Sequence, residues 1–300
     1  MRTIMALMLL LTAVFPRVAV AQDTGIYQQA GSALYDSVAA AVKAEHAADG
    51  AQSPQGPVAV STDPVQAAKD VKALESKGAK YLYAIGPSAA NLATQSATVS
   101  GVYIYVPNPG ASGLSAKARW AGVSPYPDPR LVLQHIRASM RIQSIAILYT
   151  KKYNQEVAQV FDAAAAEEKM PCRLLGLKGP EDLQATLGPA LKSVDALLVL
   201  LDPIAFNPDS IRFVVNTCLQ EKKPAIGFMD SVASVGVPFA IYPSADEIAK
   251  TAVAAMRGLK QAKPEDRKVR YPQKFVLSIN ENAVKSLGAH YDAQKVVKRY

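Results

Sequence analysis

The 300-residue sequence predicts an α/β protein of two lobes, each a doubly wound parallel sheet, joined by a hinge. Three observations predict this. Apolar runs of four to seven residues alternate with amphipathic stretches, which is the pattern of right-handed βαβ units. Two such series are parted by the proline-rich segment 120–129 (WAGVSPYPDP). Half of the residues are hydrophobic and 19% are charged, which suffices for two cores and excludes disorder as the main state.

In chain order, residues 35–48 read as an Ala-rich helix, 50–57 as a loop and 57–61 as a short strand. Asp63-Pro64 then starts a helix to residue 77, with Ala67, Ala68, Val71 and Leu74 at helical spacing. A buried strand at 80–85 ends at Gly86, and Ser88 is expected to cap a helix over 89–97. Residues 101–106 (GVYIYV) form the next strand. The second series has helices at 128–140, 154–169, 180–191 and 208–221, with strands at 144–149, 173–177 and 196–201. Strands at 225–228 and 238–241 and a helix at 245–258 follow. The expected lobes are 22–122 with about 243–265, and 123–242 with about 266–300.

The first 21 residues read as a cleaved secretory signal peptide. A basic start (Arg2) precedes a short apolar run, then the small-x-small site Ala19-Val20-Ala21. A competing reading makes 17–22 the first strand. No cysteine stands near the cleavage site, so no lipid anchor is expected, and the destination is the periplasm. Cys172 and Cys218 are no disulfide framework; one bridge and two buried thiols are equally open. The net charge of +8 invites nucleic acid, but its distribution does not. Residues 22–256 hold 20 basic and 21 acidic side chains, whereas 257–300 hold 11 and 4. The body is neutral and the end is basic with few aromatics, so no nucleic-acid partner is expected.

From Ala84 onward the chain resembles the bacterial ABC-transporter substrate-binding protein family that includes tryptophan- and tyrosine-binding members. The segments carrying the resemblance are IGPSAANLAT (85–94), IAILYTKKYNQEV (145–157), VDALLVLLDPIAF (194–206), PAIGFMDSVASVG (224–236) and FVLSINENAVKSLG (275–288), in that order. The resemblance implies a type I periplasmic-binding-protein fold, an amino-acid-like solute and an ABC permease partner. The chain departs from the family pattern before Ala84, where the opening strand and first helix read as shortened or absent. Pro107-Asn108-Pro109 also stands where many members have Asp-Pro.

Ligands of open parallel sheets bind beyond the carboxyl ends of the strands, and that rule selects the candidates. Ser88 and Ala89 offer N–H groups at a helix start, suited to a carboxylate. Asn108 follows the 101–106 strand. Tyr149, Thr150, Tyr153 and Asn154 combine aromatic faces with hydroxyl and amide donors. Asp202 would pair with an ammonium or merely begin an Asp-Pro turn. Asp230 and Ser231 offer an acid and a hydroxyl, or an ordinary helix cap. Trp120, the only tryptophan, is either a stacking wall or a packing residue. The three histidines share no ligand spacing with each other or with the cysteines, and no phosphate loop occurs, so no metal, cofactor or catalysis is expected. The reading is thus a monomeric solute-binding component of an ABC importer. One alternative is an exported accessory protein that keeps the fold without a transport ligand. A remote one is a serine hydrolase using Ser88 and His290.

Overall fold

Residues 22–61, 63–205, 207–261 and 268–300 are described by a computed structural model. The expected leader over 1–21 lies outside them. In chain order the first half runs β1 (Thr24–Gln28), α1 (Ala33–Ala48), β2 (Gln55–Ala59), α2 (Pro64–Ser76), β3 (Tyr81–Ile85), α3 (Pro87–Ala93), β4 (Ser100–Ile104) and β5 (Trp120–Val123). Next come α4 (Pro129–Met140), β6 (Ile145–Thr150), α5 (Lys151–Glu167), β7 (Cys172–Leu177), α6 (Asp182–Leu191), β8 (Ala196–Val199) and α7 (Pro208–Gln220). The chain closes with β9 (Ala225–Gly227), α8 (Asp230–Ser234), β10 (Phe239–Tyr242), α9 (Ala245–Lys260), β11 (Val269–Arg270), β12 (Val276–Ile279), α10 (Glu281–Leu287) and β13 (Val296–Arg299).

These strands form two sheets, ordered β11-β5-β4-β3-β1-β2 and β13-β12-β10-β9-β8-β6-β7. Every pairing is parallel except β10 with β12. Helices cover both faces, so each sheet buries two apolar layers: β6, for example, sends Ile145 and Ile147 to one core and Ala146 and Leu148 to the other. The resulting strands are continuously apolar rather than alternating, which is why the second series is legible at sequence level.

The start of the chain corrects the expectation of a shortened opening. β1 is wholly buried and lies between β2 and β3, and α1 spans 16 residues. Its sequence, Thr-Gly-Ile-Tyr-Gln, lacks an apolar run because Gly25 leaves room for neighbours. A Cβ there would stand 3.0 Å from Leu82 and 3.4 Å from Leu74. Trp120 is a packing residue: it lies in β5 within the first sheet's core, its ring over Gly101 of β4. The first sheet also takes β11, so the first lobe's share of the chain runs to Arg270, a few residues past the expected 265. Residues 94–97, expected as helix, fall beyond α3, which ends at Ala93.

Both cysteines are free. Cys172 packs with one face of the second sheet and Cys218 with the other, so the sheet itself separates them. Burial pushes both thiols up to about 12. The basic end does not stand apart from the neutral body. Lys260 pairs with Asp23 at 2.9 Å, Arg257 with Asp49, Lys298 with Asp230 at 2.9 Å and Arg299 with Glu281 at 3.1 Å.

Candidate functional site

Three crossings connect the sheets, through residues 124–128, 243–244 and 271–275. The Ser124 N–H donates to the Arg270 carbonyl, and the Asp128 N–H donates to that of Pro272, each at 2.9 Å. The Lys274 N–H donates to Glu247 Oε1 at 3.2 Å, and Glu247 lies in the first turn of α9, just past the second crossing. The crossings are therefore tied into one hinge. Tyr126, in the first crossing, is fully buried edge-on against Phe161 and Phe228, and its phenol oxygen accepts the Leu201 N–H at 2.9 Å. Burial raises its ionisation far above the ordinary tyrosine range.

At the carboxyl end of the first sheet, Gly86 and not Ser88 holds the cap position of α3. Gly86 has φ +90°, and a Cβ there would meet Gln29 at 2.9 Å and the Tyr35 ring at 3.0 Å. Ser88 is exposed in the first turn, and its N–H already donates to Gln29 Oε1 at 3.2 Å. Ala89 is wholly buried in the core beneath α3. The expected open anion cradle is thus partly filled by the protein's own glutamine.

Asn108 joins the two lobes. Its Nδ2 donates to the Tyr153 carbonyl in α5, while its Oδ1 accepts the Ala111 N–H at 3.2 Å. Tyr153 itself is exposed, with the Lys152 ammonium 5.4 Å from its ring centroid.

Thr150, Asn154 and Asp202 do converge, but on one another. Asp202 Oδ2 accepts the Thr150 N–H at 2.7 Å and Asn154 Nδ2 at 2.9 Å. Oδ1 accepts the Thr150 hydroxyl at 2.8 Å and the N–H groups of Ile204 and Ala205 at 2.9 and 3.2 Å. All three residues are buried. A carboxylate with five internal donors has no face left for a ligand ammonium, which corrects that expectation. Asn154 also interrupts helical geometry at φ −130°, ψ 18°, the local cost of turning its amide toward Leu201 and Asp202. Its Oδ1 is buried without a partner.

The remaining candidates lie apart. Tyr149 is buried and donates to Gln155 Oε1 at 3.2 Å, beside Gly176 of the edge strand β7. Burial raises its ionisation. Asp230 accepts from the Tyr242, Ser278 and Tyr300 hydroxyls and from Lys298, at 2.7–3.0 Å. Burial alone would raise its carboxyl, but those hydrogen bonds hold it below the usual carboxylate range. Asp230 is occupied by its own lobe, as Asp202 is. Ser231 lines a 460 Å³ hollow with Met229, Ile211 and Arg212, separate from the Asp202 cluster. His290 lines a hollow with Arg141 and Lys222, near the amino end of the second sheet, whereas Ser88 lies at the carboxyl end of the first, so the two form no hydrolytic pair. Among the described residues no group of three or more His, Cys, Asp or Glu is placed to hold a metal ion. Nor is any helix among them long and apolar enough to cross a membrane.

Residues 32–299 match the family model described as ABC transporter substrate binding protein. The chain belongs to that family. Its members bind solutes and perform no chemistry on them. No curated protein matches the chain. Among solved structures, the chain is similar to an ABC domain in complex with L-Trp from Streptococcus pneumoniae: TM-score 0.58, 18% identity, 92% of this chain and 100% of that one covered. It is also similar to the ligand-free, open structure of a substrate-binding protein with adhesive properties from Clostridium difficile: TM-score 0.70, 15% identity, with 92% and 98% covered. A periplasmic ribose ABC transporter structure from Conexibacter woesei has TM-score 0.52 at 12% identity, with 90% and 97% covered. At these identities the likeness is one of fold.

For a substrate-binding protein built this way, sequence reasoning passed over Tyr35, Tyr105 and Gln29, which gather at the carboxyl end of the first sheet. Gln29 was hidden with β1, and Tyr35 stood at the start of the expected 35–48 helix, away from any strand end that the sequence showed. Tyr105 was reachable, since the strand-end rule applied to GVYIYV points to its last aromatic as well as to Asn108.

Proposed function

We propose that this substrate-binding protein is the solute-binding component of an ABC importer, acting in the periplasm as a monomer. It takes a small, amino-acid-like solute between the carboxyl ends of its two sheets and delivers it to an inner-membrane permease. The observation that carries the reading is the hinge: three crossings, the first hydrogen-bonded to the third and the third tied through Glu247 to the helix that follows the second, let two separately cored sheets rotate as bodies about one narrow waist. The L-Trp complex of a relative with the same fold supports an amino-acid-like solute. Of the residues singled out by sequence, Ser88 and Tyr153 keep exposed side chains at strand ends and are the proposed solute contacts. Asn108 acts beside them as a tie between lobes, and Ser231 contributes from the second-lobe hollow.

The accessory-protein alternative rested on a truncated first lobe. A complete six-stranded first sheet removes that support. Thermal-shift screening against amino acids and small carboxylates tests the transport reading. A solute that binds only the folded protein raises its Tm, by about 2.7 kcal/mol of stabilisation at a hundredfold excess over Kd. No shift across the library, with capture of a protein partner instead, would sink the reading.

A further inference from the structure

One carboxylate between the lobes has no partner. Glu156, in the second turn of α5, makes no hydrogen bond or ion pair with any described group. Its side chain reaches across to the first lobe, where Gly110 leaves it room; a Cβ on that glycine would overlap the carboxylate outright. Asp202 and Asp230, by contrast, each carry several donors from their own lobe.

Glu156 lines a 220 Å³ cavity on the flank of the hinge. Val106 and Val269 of the first lobe, Val157 and Val160 of α5, and Tyr126 and Tyr271 of the crossings give it an apolar wall. No lysine, arginine or histidine lines it, so Glu156 is the one charged side chain among its described lining residues. Two hydroxyls join the carboxylate there, those of Ser115 and Tyr271, and neither bonds to a described group. Ser88, Tyr153 and Ser231, the proposed solute contacts, are not in this wall.

An apolar wall with a few convergent polar groups is the usual form of a small-molecule site. What those groups accept sets the chemistry of the occupant. A carboxylate only accepts hydrogen bonds and favours a positively charged donor, and hydroxyls can accept further N–H bonds. An anionic head would meet the Glu156 charge with no cation in the wall to balance it. A neutral head would forgo the charge-assisted bond. The volume falls below the roughly 300–1,000 Å³ of drug-sized sites, so the occupant is short.

We propose that this hinge-side cavity is a binding site for a small organic ammonium, its head on Glu156, Ser115 and Tyr271 and its short apolar chain against the valines. The site is additional to the solute contacts proposed above and does not depend on them.

Amide NMR titrations of the labelled protein with n-butylammonium, n-butanol and butanoate test it, because the three probes share a chain length and differ in the head. n-Butylammonium is expected to shift the amides of Ser115, Glu156 and Tyr271 saturably, and the other two to bind at least roughly tenfold more weakly. Glu156→Gln keeps the side chain's shape and removes its charge. Because Glu156 is exposed, the variant's Tm is expected to stay within about two degrees of the parent's, while n-butylammonium affinity falls roughly tenfold. Tyr271→Phe, which removes only a hydroxyl, is expected to lose roughly two- to threefold. The comparison of heads uses the parent protein and stands whatever the variants do. Equal binding of the three probes, undiminished affinity in Glu156→Gln, or no saturable shift at these amides overturns the inference and leaves the importer reading standing.

Discussion

Asp202 accepts both the backbone N–H and the hydroxyl of Thr150, at 2.7 and 2.8 Å, with neither residue more than 3% exposed. The pair joins the ends of β6 and β8, two neighbouring strands of the second sheet. An acid at a strand end in a binding protein invites a ligand role, yet here its lone pairs are spent inside the lobe. Asp202→Ala would strand the donors of Thr150, Asn154, Ile204 and Ala205 in a dry site. The expected cost is roughly 3–5 kcal/mol, read as a lower urea midpoint without any solute present. A variant of parental stability that only lost solute affinity would contradict the bracing role.

Gly101 carries Trp120 across its face. A Cβ at this position would stand 2.1 Å from the Leu82 carbonyl and 2.7 Å from the indole. Backbone cannot yield as a flexible side chain does, so Gly101→Ala is expected to cost about 3 kcal/mol or more. The single tryptophan reports directly: its emission should shift to the red if the first sheet loosens. Parental emission and stability together would show that β4 adjusts freely.

His135 predicts a pH dependence. It is 5% exposed, and burial, followed by the nearby Lys295 ammonium, lowers it to about 4, against 6.5 in an open chain. The folded protein thus resists the proton that the unfolded chain accepts. The neutral histidine's contribution is complete above about pH 6.5 and is lost as the pH falls through about 4. The loss is on the order of 2–3 kcal/mol. Comparing urea midpoints at pH 7.5 and 4.5 for the parent protein and His135→Gln checks this, with the variant showing the smaller difference.

The cysteines give a simple count. Cys218 is buried, and the second sheet stands between it and Cys172. Without reductant, a thiol reagent should modify Cys218 only slowly in the native protein and both cysteines promptly in denaturant. Finding no reactive thiol in the unfolded, unreduced chain would mean that a bridge exists.

Tyr126 ties the first crossing to the second lobe through the Leu201 N–H. Tyr126→Phe keeps the ring contacts and orphans that donor, for an expected cost of about 1–3 kcal/mol by thermal melting. An unchanged melting curve would remove the phenol from the account of the hinge.

The second lobe was legible almost element by element because its strands are buried on both faces. Ile145–Thr150 and Ala196–Val199 show as uninterrupted apolar runs between amphipathic helices. β1 was not legible, because a five-residue strand with glycine second and glutamine last has no such signature. Only the packing of Leu82 and Leu74 explains Gly25.

By itself, then, the amino-acid sequence determined the fold class, the two series of strands, the neutral body and basic end, and the family. Each of these depends on local periodicity or on residue order. Tertiary structure alone decided which polar residues at strand ends are free. Asp202, Asn154 and Asp230 were equally good ligand candidates until hydrogen-bond partners about 50 residues away in sequence, such as Thr150 for Asp202, Leu201 for Asn154 and Ser278 for Asp230, were seen to occupy them. It also decided that Glu156 stands unpaired beside Gly110, since the lack of a partner is not written in residue type. Hydrogen-bond satisfaction is a property of neighbours in space, and sequence spacing does not record it.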